Sequence, residues 1–236
     1  MEYIKEILEI KDFEINSLAH DEAFKLDKRN YFQYYASLLK YNHPLSFSFG
    51  SYNDYNSRII KIFLFFFSFG SDLTINALFF NDDTMHKIYQ DRGKFDFLFQ
   101  LPQILYSTLI SRFIDTLIKT LALSQDIIVE LKQEKRKNYI KKKYAKILKV
   151  FRTKIIFFFI CSFIILSSFW YYITCFCGIY VNTQTHLIKD CIISLITSLI
   201  YPIGISLIPA LFRIPAIRMK KPCLYKFSSF LENYIV

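Results

Sequence analysis

Glycine is scarce in this chain, with 5 residues among 236, and tryptophan occurs once. No P-loop, GxGxxG or GxSxG string is present. The backbone cradles that hold nucleotide phosphates and the strained elbow that exposes a serine nucleophile therefore have no basis here. The histidines are His20, His43, His86 and His186. None lies in HExxH or beside a serine or cysteine nucleophile motif, and a zinc site built on His186 would need a fourth ligand at a recognised spacing. No metal, no cofactor and no enzymatic activity are expected. Internal repeats are missing, as are stretches rich in proline, glycine and serine that would mark a linker. Met1 to Phe13, MEYIKEILEIKDF, lacks the apolar core of a cleavable signal, so membrane insertion is expected to use an internal segment.

Apolar residues, by contrast, make up 53% of the chain and aromatics 19%, with 26 Phe and 17 Tyr. Soluble domains sit nearer about 45–50% on a broader count that includes glycine. The excess is gathered in blocks, and a spanning helix needs about 20 mostly apolar residues. Four blocks are long enough: 62–80, 97–123, 155–180 and 187–212. The second carries Arg112, Asp115 and Lys119, and the fourth has Lys189 and Asp190 near its start. The expected fold is an all-α integral membrane protein of about four transmembrane helices, with an amphipathic N-terminal helix and a basic cytoplasmic connector helix.

The charges set the threading. Residues 1–61 carry eight Lys/Arg, and residues 81–96 carry three, offset by Asp82, Asp83, Asp91 and Asp96. Residues 132–154 carry eleven against one acidic residue, Glu134, a balance equal to the +10 of the whole chain. Residues 181–190 carry one, and the stretch from Arg213 carries five. Short loops rich in Lys and Arg stay cytoplasmic. The alternation places both termini in the cytoplasm and requires the second block to cross. The expected regions are 1–57, amphipathic and cytoplasmic or interfacial; 58–123, a transmembrane hairpin; 124–154, the basic connector; 155–212, a second hairpin; and 213–236, a basic cytoplasmic tail. Outside the basic block, positive and negative charges balance at 19 each. The cationic character is local, so anionic lipid is the expected partner and nucleic acid is not.

Asp21 is placed to cap a helix running to about Tyr41, with Ala23, Leu26, Tyr31, Tyr34, Tyr35, Leu38 and Leu39 among its apolar positions. Tyrosine favours the headgroup level, which reads as an interfacial helix; a small cytosolic helical hairpin packed on itself is the alternative. SFSFG at 46–50 alternates like a short strand. In the basic block, Ile140, Tyr144, Ile147, Leu148 and Phe151 recur at helical spacing. Lys141, Lys142, Lys143, Lys146, Lys149, Arg152 and Lys154 are the candidate contacts to anionic lipid. A calmodulin-type target and a solvated extension that only sets topology are the other readings.

Polar residues inside apolar blocks mark either function or helix association. Asp72 and Asn76 share a helix face at a spacing of four, as do Arg112, Asp115 and Lys119 at spacings of three and four. Counted from the cytoplasmic ends of their blocks, Asp72 and Arg112 lie at nearly one height. An ion pair between them is the expected clasp of the first hairpin. The same five residues are the candidate lining of an ion or proton path, although no filter-like glycine run, acidic ring or inverted repeat accompanies them. Cys177 and Cys191 flank the loop at 181–190 and are the candidate disulfide on the non-cytoplasmic side; free, lipid-buried thiols are the default for these and for Cys161, Cys175 and Cys223. Pro202, Gly204 and Pro209 interrupt the fourth block, as a packing kink or as a hinge. Arg213, Arg218, Lys220 and Lys221 then read as a snorkelling anchor.

Several strings together resemble a family. They are DYNSRIIKIFLFFFSF (54–69), NALFFNDDTMHKIYQDRGKFDF (76–97), LPQILYSTLIS (101–111), FWYYITCFCGIYVNTQTHLIKD (169–190) and LIYPIGISLIPALFRIPAIR (199–218). This pattern resembles the C-terminal multi-pass membrane module of large protist transmembrane proteins of the kind abundant in ciliates. The resemblance transfers no activity to any residue. It implies a short member, or a C-terminal fragment, of a larger protein that works with a partner region. The expected function is a non-enzymatic membrane anchor or interaction module, in contact with lipid, other membrane helices or a larger assembly. A channel or transporter subunit using the face of Asp72, Asn76, Arg112, Asp115 and Lys119 is the alternative.

Overall fold

The computed structural model describes residues 12–50, 54–92, 94, 96–123, 128 and 137–234, the last stretch with side chains from 146 onward. Among these every regular element is helical. In chain order they are α1 (Asp12–Asn16), α2 (His20–Leu26), α3 (Tyr31–Asn42), α4 (Pro44–Phe49), α5 (Arg58–Leu78), α6 (Asp82–Gln90), α7 (Phe97–Ala122), α8 (Lys137–Ile179), α9 (Gln184–Ile205), α10 (Leu207–Arg218) and α11 (Pro222–Tyr234). A 3-10 turn, Val181–Thr183, precedes α9. Contacts group the chain into two compact units: Met1–Tyr55 with Leu199–Val236, and Asn56–Ser198. Among the described residues three stretches are long and apolar enough to cross a membrane: Arg58–Leu78, Lys146–Ile179 and Val181–Arg218. Helix α7, interrupted by Gln100, Gln103, Arg112, Asp115 and Lys119, is not among them.

In the 56–198 unit the helix directions alternate. Phe63 of α5 meets Phe158 of α8 with ring centroids 5.5 Å apart, and Tyr172 Oη of α8 donates to the Ala77 carbonyl of α5. Both pairs are offset by 95 residues, so α5 and α8 run parallel. Helix α7 runs against α5, because Ser107 meets Asn76 while Ser68 meets Asp115. The first part of α9 runs with α7, through Gln103 to Asp190 and Thr108 to Ser194. One end of this unit is closed by Ala77, Phe80, Ile88, Phe176 and Leu187, with Phe80 edge-on to Phe176 at 5.8 Å. The stretch 81–96, expected as a loop, contains α6, whose N-terminus is capped by Asn81 accepting from Thr84 N at 2.8 Å. Asp96 caps α7 in the same way, from Phe99 N at 3.1 Å. Helix α8 has 43 residues, roughly 65 Å at helical rise against a bilayer core of about 30 Å. From Lys137 onward the basic block and the third span are therefore one continuous rod.

The other unit departs from the expected N-terminal helix. A single helix from Asp21 to Tyr41 is replaced by α2 and α3, broken at 27–30. Asn30 closes a reciprocal cap: its Oδ1 accepts from Gln33 N at 2.8 Å and its N–H donates to Gln33 Oε1 at 2.9 Å. This pairing satisfies two helix-end groups and starts a new helix. SFSFG is helical, since His43 caps α4 and Pro44 at its first position has its φ set for a helix. The apolar face formed by Ala23, Tyr34 and Leu38 is covered by protein rather than left for a membrane surface. It packs on Ala210, Ile214, Ala216 and Ile217 of α10. The fourth block divides at Ser206. Pro209 has no N–H for the Ile205 carbonyl, so the ladder stops there. Helix α10 ends with Lys220 in the left-handed region (φ 52), Lys221 N bonding Ala216 O and Lys220 N bonding Ile217 O, a Schellman turn that sends α11 back along α10.

Candidate functional site

Helices α5 and α7 meet along a ladder of polar side chains. Ser68, Asp72 and Asn76 are spaced by four on α5; Asp115, Ser111 and Ser107 are spaced by four in the opposite sense on α7. Residues four apart stand one above another on a helix face, so the antiparallel pair makes three rungs. Asn76 Oδ1 accepts from Ser107 Oγ at 2.6 Å. Asp115 accepts from the Ser68 hydroxyl. At the middle rung Asp72 faces the Ser111 hydroxyl, and Asp115 also faces Ser71, but Ser111 Oγ and Ser71 Oγ make no full hydrogen bond. Each rung carries a serine, which is small enough to let the backbones approach. Helix α9 extends the polar core: Thr108 Oγ1 lies 3.1 Å from Ser194 Oγ, and Gln103 Nε2 donates to Asp190 Oδ2 at 3.3 Å.

Of the five residues expected on this face, three are buried: Asp72, Asn76 and Asp115. Arg112 is half-buried and Lys119 is exposed. Asp72 faces Ser111, and the charge of Arg112 reaches both Asp72 and Asp115. At about 100° per residue, Arg112 and Lys119 lie some 40–60° round the helix from Asp115, on the flank away from Ser111. A signal for the serines was present, since Ser68 extends the run of Asp72 and Asn76, and Ser107 with Ser111 extends that of Asp115.

The candidate disulfide is not formed. All five cysteines are free, Cys191 buried and Cys177 half-buried. Cys177 packs on the Phe176–Leu187 cluster, whereas Cys191 is within electrostatic reach of Asp72 and Asp190. Maleimide labelling of the purified protein should modify Cys223 quickly and Cys191 only after denaturation. Mass spectrometry that finds a 177–191 crosslink without added oxidant would contradict this geometry.

Among the candidate lipid contacts, Lys146, Lys149 and Arg152 are exposed on α8. Lys154 is half-buried and donates to the Leu123 carbonyl at 2.7 Å, where a cation complements the C-terminal end of α7. The side chains of Lys141, Lys142 and Lys143 lie outside the described residues.

A second cluster escaped the sequence reading. Arg213, expected as a surface anchor, is fully buried. Its Nη1 and Nη2 donate to the carbonyls of Asn16 and Ile15 at 2.9 and 2.7 Å. Its guanidinium lies 3.5 Å from Asp27 and 3.6 Å from Glu232, and over the rings of Tyr34 and Tyr225 at 4.9 and 4.8 Å. Arg29 pairs with the other side of Asp27 at 2.8 Å, and Tyr34 Oη donates to Glu232 at 2.8 Å. Two guanidinium groups thus face two carboxylates. Burial pushes Asp27 upward, but its bonds to Arg29 and the charges of Arg29 and Arg213 outweigh that and hold it below its ordinary 3.8. For Glu232 burial prevails over Arg213 and Tyr34, and its value is raised above 4.5.

The two carboxylates give opposite pH dependences. Asp27, depressed in the fold, contributes stability that is complete above its ordinary value and lost as pH falls through the folded value. Glu232, raised in the fold, contributes more as pH falls through its folded value toward 4.5. The unit should therefore keep its stability in mild acid and lose it only below roughly pH 4. A denaturant series from pH 7 to 3 checks this, and loss of stability already between pH 7 and 5 would contradict the assignment.

No family model, curated protein or solved structure matches the chain.

Proposed function

We propose that the protein is a non-enzymatic, multi-pass membrane anchor or interaction module. In this reading α5, α7, α8 and α9 are its four spans, both termini are cytoplasmic, and the basic half of α8 rests against anionic lipid. The observation that carries it is the ladder between α5 and α7. Its polar groups are turned toward one another across the helix interface, with closed rungs at Asn76–Ser107 and Ser68–Asp115. Inside a bilayer there is little hydrophobic drive between helices, and small residues with interhelical hydrogen bonds supply association. The alternating helix directions agree with the alternating loop charges, which supports a crossing by α7. Only 11% of the most apolar part of α8 is buried, against 44% for α5, and that leaves α8 free to face lipid or a partner's helix. The resemblance to membrane modules of larger proteins points the same way.

Two measurements test the proposal. In a cysteine-free background, Gln90→Cys should react only from the non-cytoplasmic side and Leu123→Cys only from the cytoplasmic side; reaction of both from one side would remove the α7 crossing. Purified protein in liposomes should give no sustained flux, and flux abolished by Asp72→Asn would replace the anchor with the channel or transporter reading.

A further inference from the structure

We propose that the turn between α10 and α11 docks on the anionic headgroups of the bilayer surface, through Arg218, Lys220, Lys221 and Lys226. The first observation is charge. Residues 191–231 contain no Asp or Glu. Of their cations, Arg213 is turned inward to Asp27 and Glu232; the other four are exposed. Among the described residues the side chains of Arg218, Lys221 and Lys226 make no hydrogen bond or ion pair, and Lys220 Nζ lies 4.9 Å from the centre of the Phe24 ring. The exposed carboxylates of α2, Asp21 and Glu22, pair with none of the four; Asp21 is held by His20 at 3.1 Å. Lys220 stands at φ 52, where a helix stop usually has glycine, so the chain keeps a cation at a position that disfavours any side chain. Four like charges between 218 and 226 repel one another. Their counter-charge comes from outside the chain.

The second observation is the apolar surface beside them, which selects a lipid leaflet as the source of that charge. Helix α11 buries Tyr225 against Ala216 and Ile217, and Ser228 Oγ donates to the Pro209 carbonyl. Cys223 and Phe227, one turn apart on its other face, are exposed, as is Met219 in the turn. Phe227 meets Phe212 of α10 edge-on at 5.1 Å, and α10 exposes Leu207, Ile208 and Leu211. The cations thus border an apolar surface at the end of Val181–Arg218, a stretch long and apolar enough to cross a membrane. A cluster of four or more Lys and Arg just beyond such a stretch is attracted to anionic lipid, and apolar side chains between the cations enter the acyl boundary. The inference rests on the membrane-anchor reading and adds to it a contact separate from α8.

The test uses full-length protein with the other four cysteines replaced by Ala and a nitroxide on Cys223. It is reconstituted in phosphatidylcholine nanodiscs with or without phosphatidylserine. Collision of the label with a water-soluble nickel chelate should be about threefold lower with phosphatidylserine. High salt should abolish the difference, as should Arg218→Gln, Lys220→Gln, Lys221→Gln and Lys226→Gln combined. Lys146→Gln, Lys149→Gln and Arg152→Gln on α8 should leave it in place. A label equally accessible in both lipids overturns the proposal, and so does a difference that the α8 changes remove and the four at the turn do not. Protection that grows with protein concentration and ignores lipid assigns the surface to a second copy and also overturns it. Alkaline carbonate extraction of vesicles, run alongside, separates the two readings. Release by carbonate overturns the anchor reading; an indifferent label on protein that resists carbonate overturns this proposal alone.

Discussion

Arg213→Ala is expected to cost about 3–5 kcal/mol, the usual penalty for removing one partner of a buried ion pair. A domain's whole stability is about 5–15 kcal/mol, so the unit formed by 12–55 and 199–234 should open at moderate temperature. The loss has three parts. Asp27 and Glu232 remain without their shared countercharge, the carbonyls of Ile15 and Asn16 lose their donors, and the rings of Tyr34 and Tyr225 lose the cation between them. Lysine would restore the charge but not the planar fork that spans two carbonyls, so Arg213→Lys should recover only part. Arg218, exposed on the same helix, is the control and should tolerate Ala within about 0.5 kcal/mol. Thermal unfolding and limited proteolysis around Ser17–Ala19 report the result. Equal melting of Arg213→Ala and Arg218→Ala would show that the buried cluster does not hold this unit together.

The second large effect concerns the serine rungs. Ser111→Phe should cost about 1–3 kcal/mol by overpacking a fully buried position. Ile110→Phe, one residue away on an exposed position, should change stability by less than about 0.5 kcal/mol. Phase is what these two substitutions compare, because adjacent residues point about 100° apart. Equal damage from the two Phe substitutions would show that the helices meet in another register.

The positions of the long helices were legible because hydropathy and charge are read along the chain. The block at 97–123 became α7 at Phe97–Ala122, and the block at 62–80 became α5 at Arg58–Leu78. The Asn30–Gln33 pair and the Pro44 start were legible too, as local capping signals, but the tyrosine periodicity from 31 to 35 and the alternation in SFSFG outweighed them in the reading. Asp72, Asn76 and Asp115 are buried between α5 and α7. Ser111 and Ser107 were not found, because a serine in an apolar block carries no charge to draw notice and its worth depends on what faces it.

Sequence alone thus determined the helical class, the apolar blocks, the charge alternation between them and the height at which polar residues occur. Each follows from properties of residues within a few turns of one another. Only the tertiary structure decided which side of α7 meets α5, that Lys154 closes the end of α7, and that Arg213 is enclosed by Asp27 and Glu232 rather than lying at a surface. Those outcomes depend on partners such as Ile15 and Asn16, nearly 200 residues away in the chain. A rotation of one residue exchanges a buried contact for an exposed one, and no local pattern records that choice.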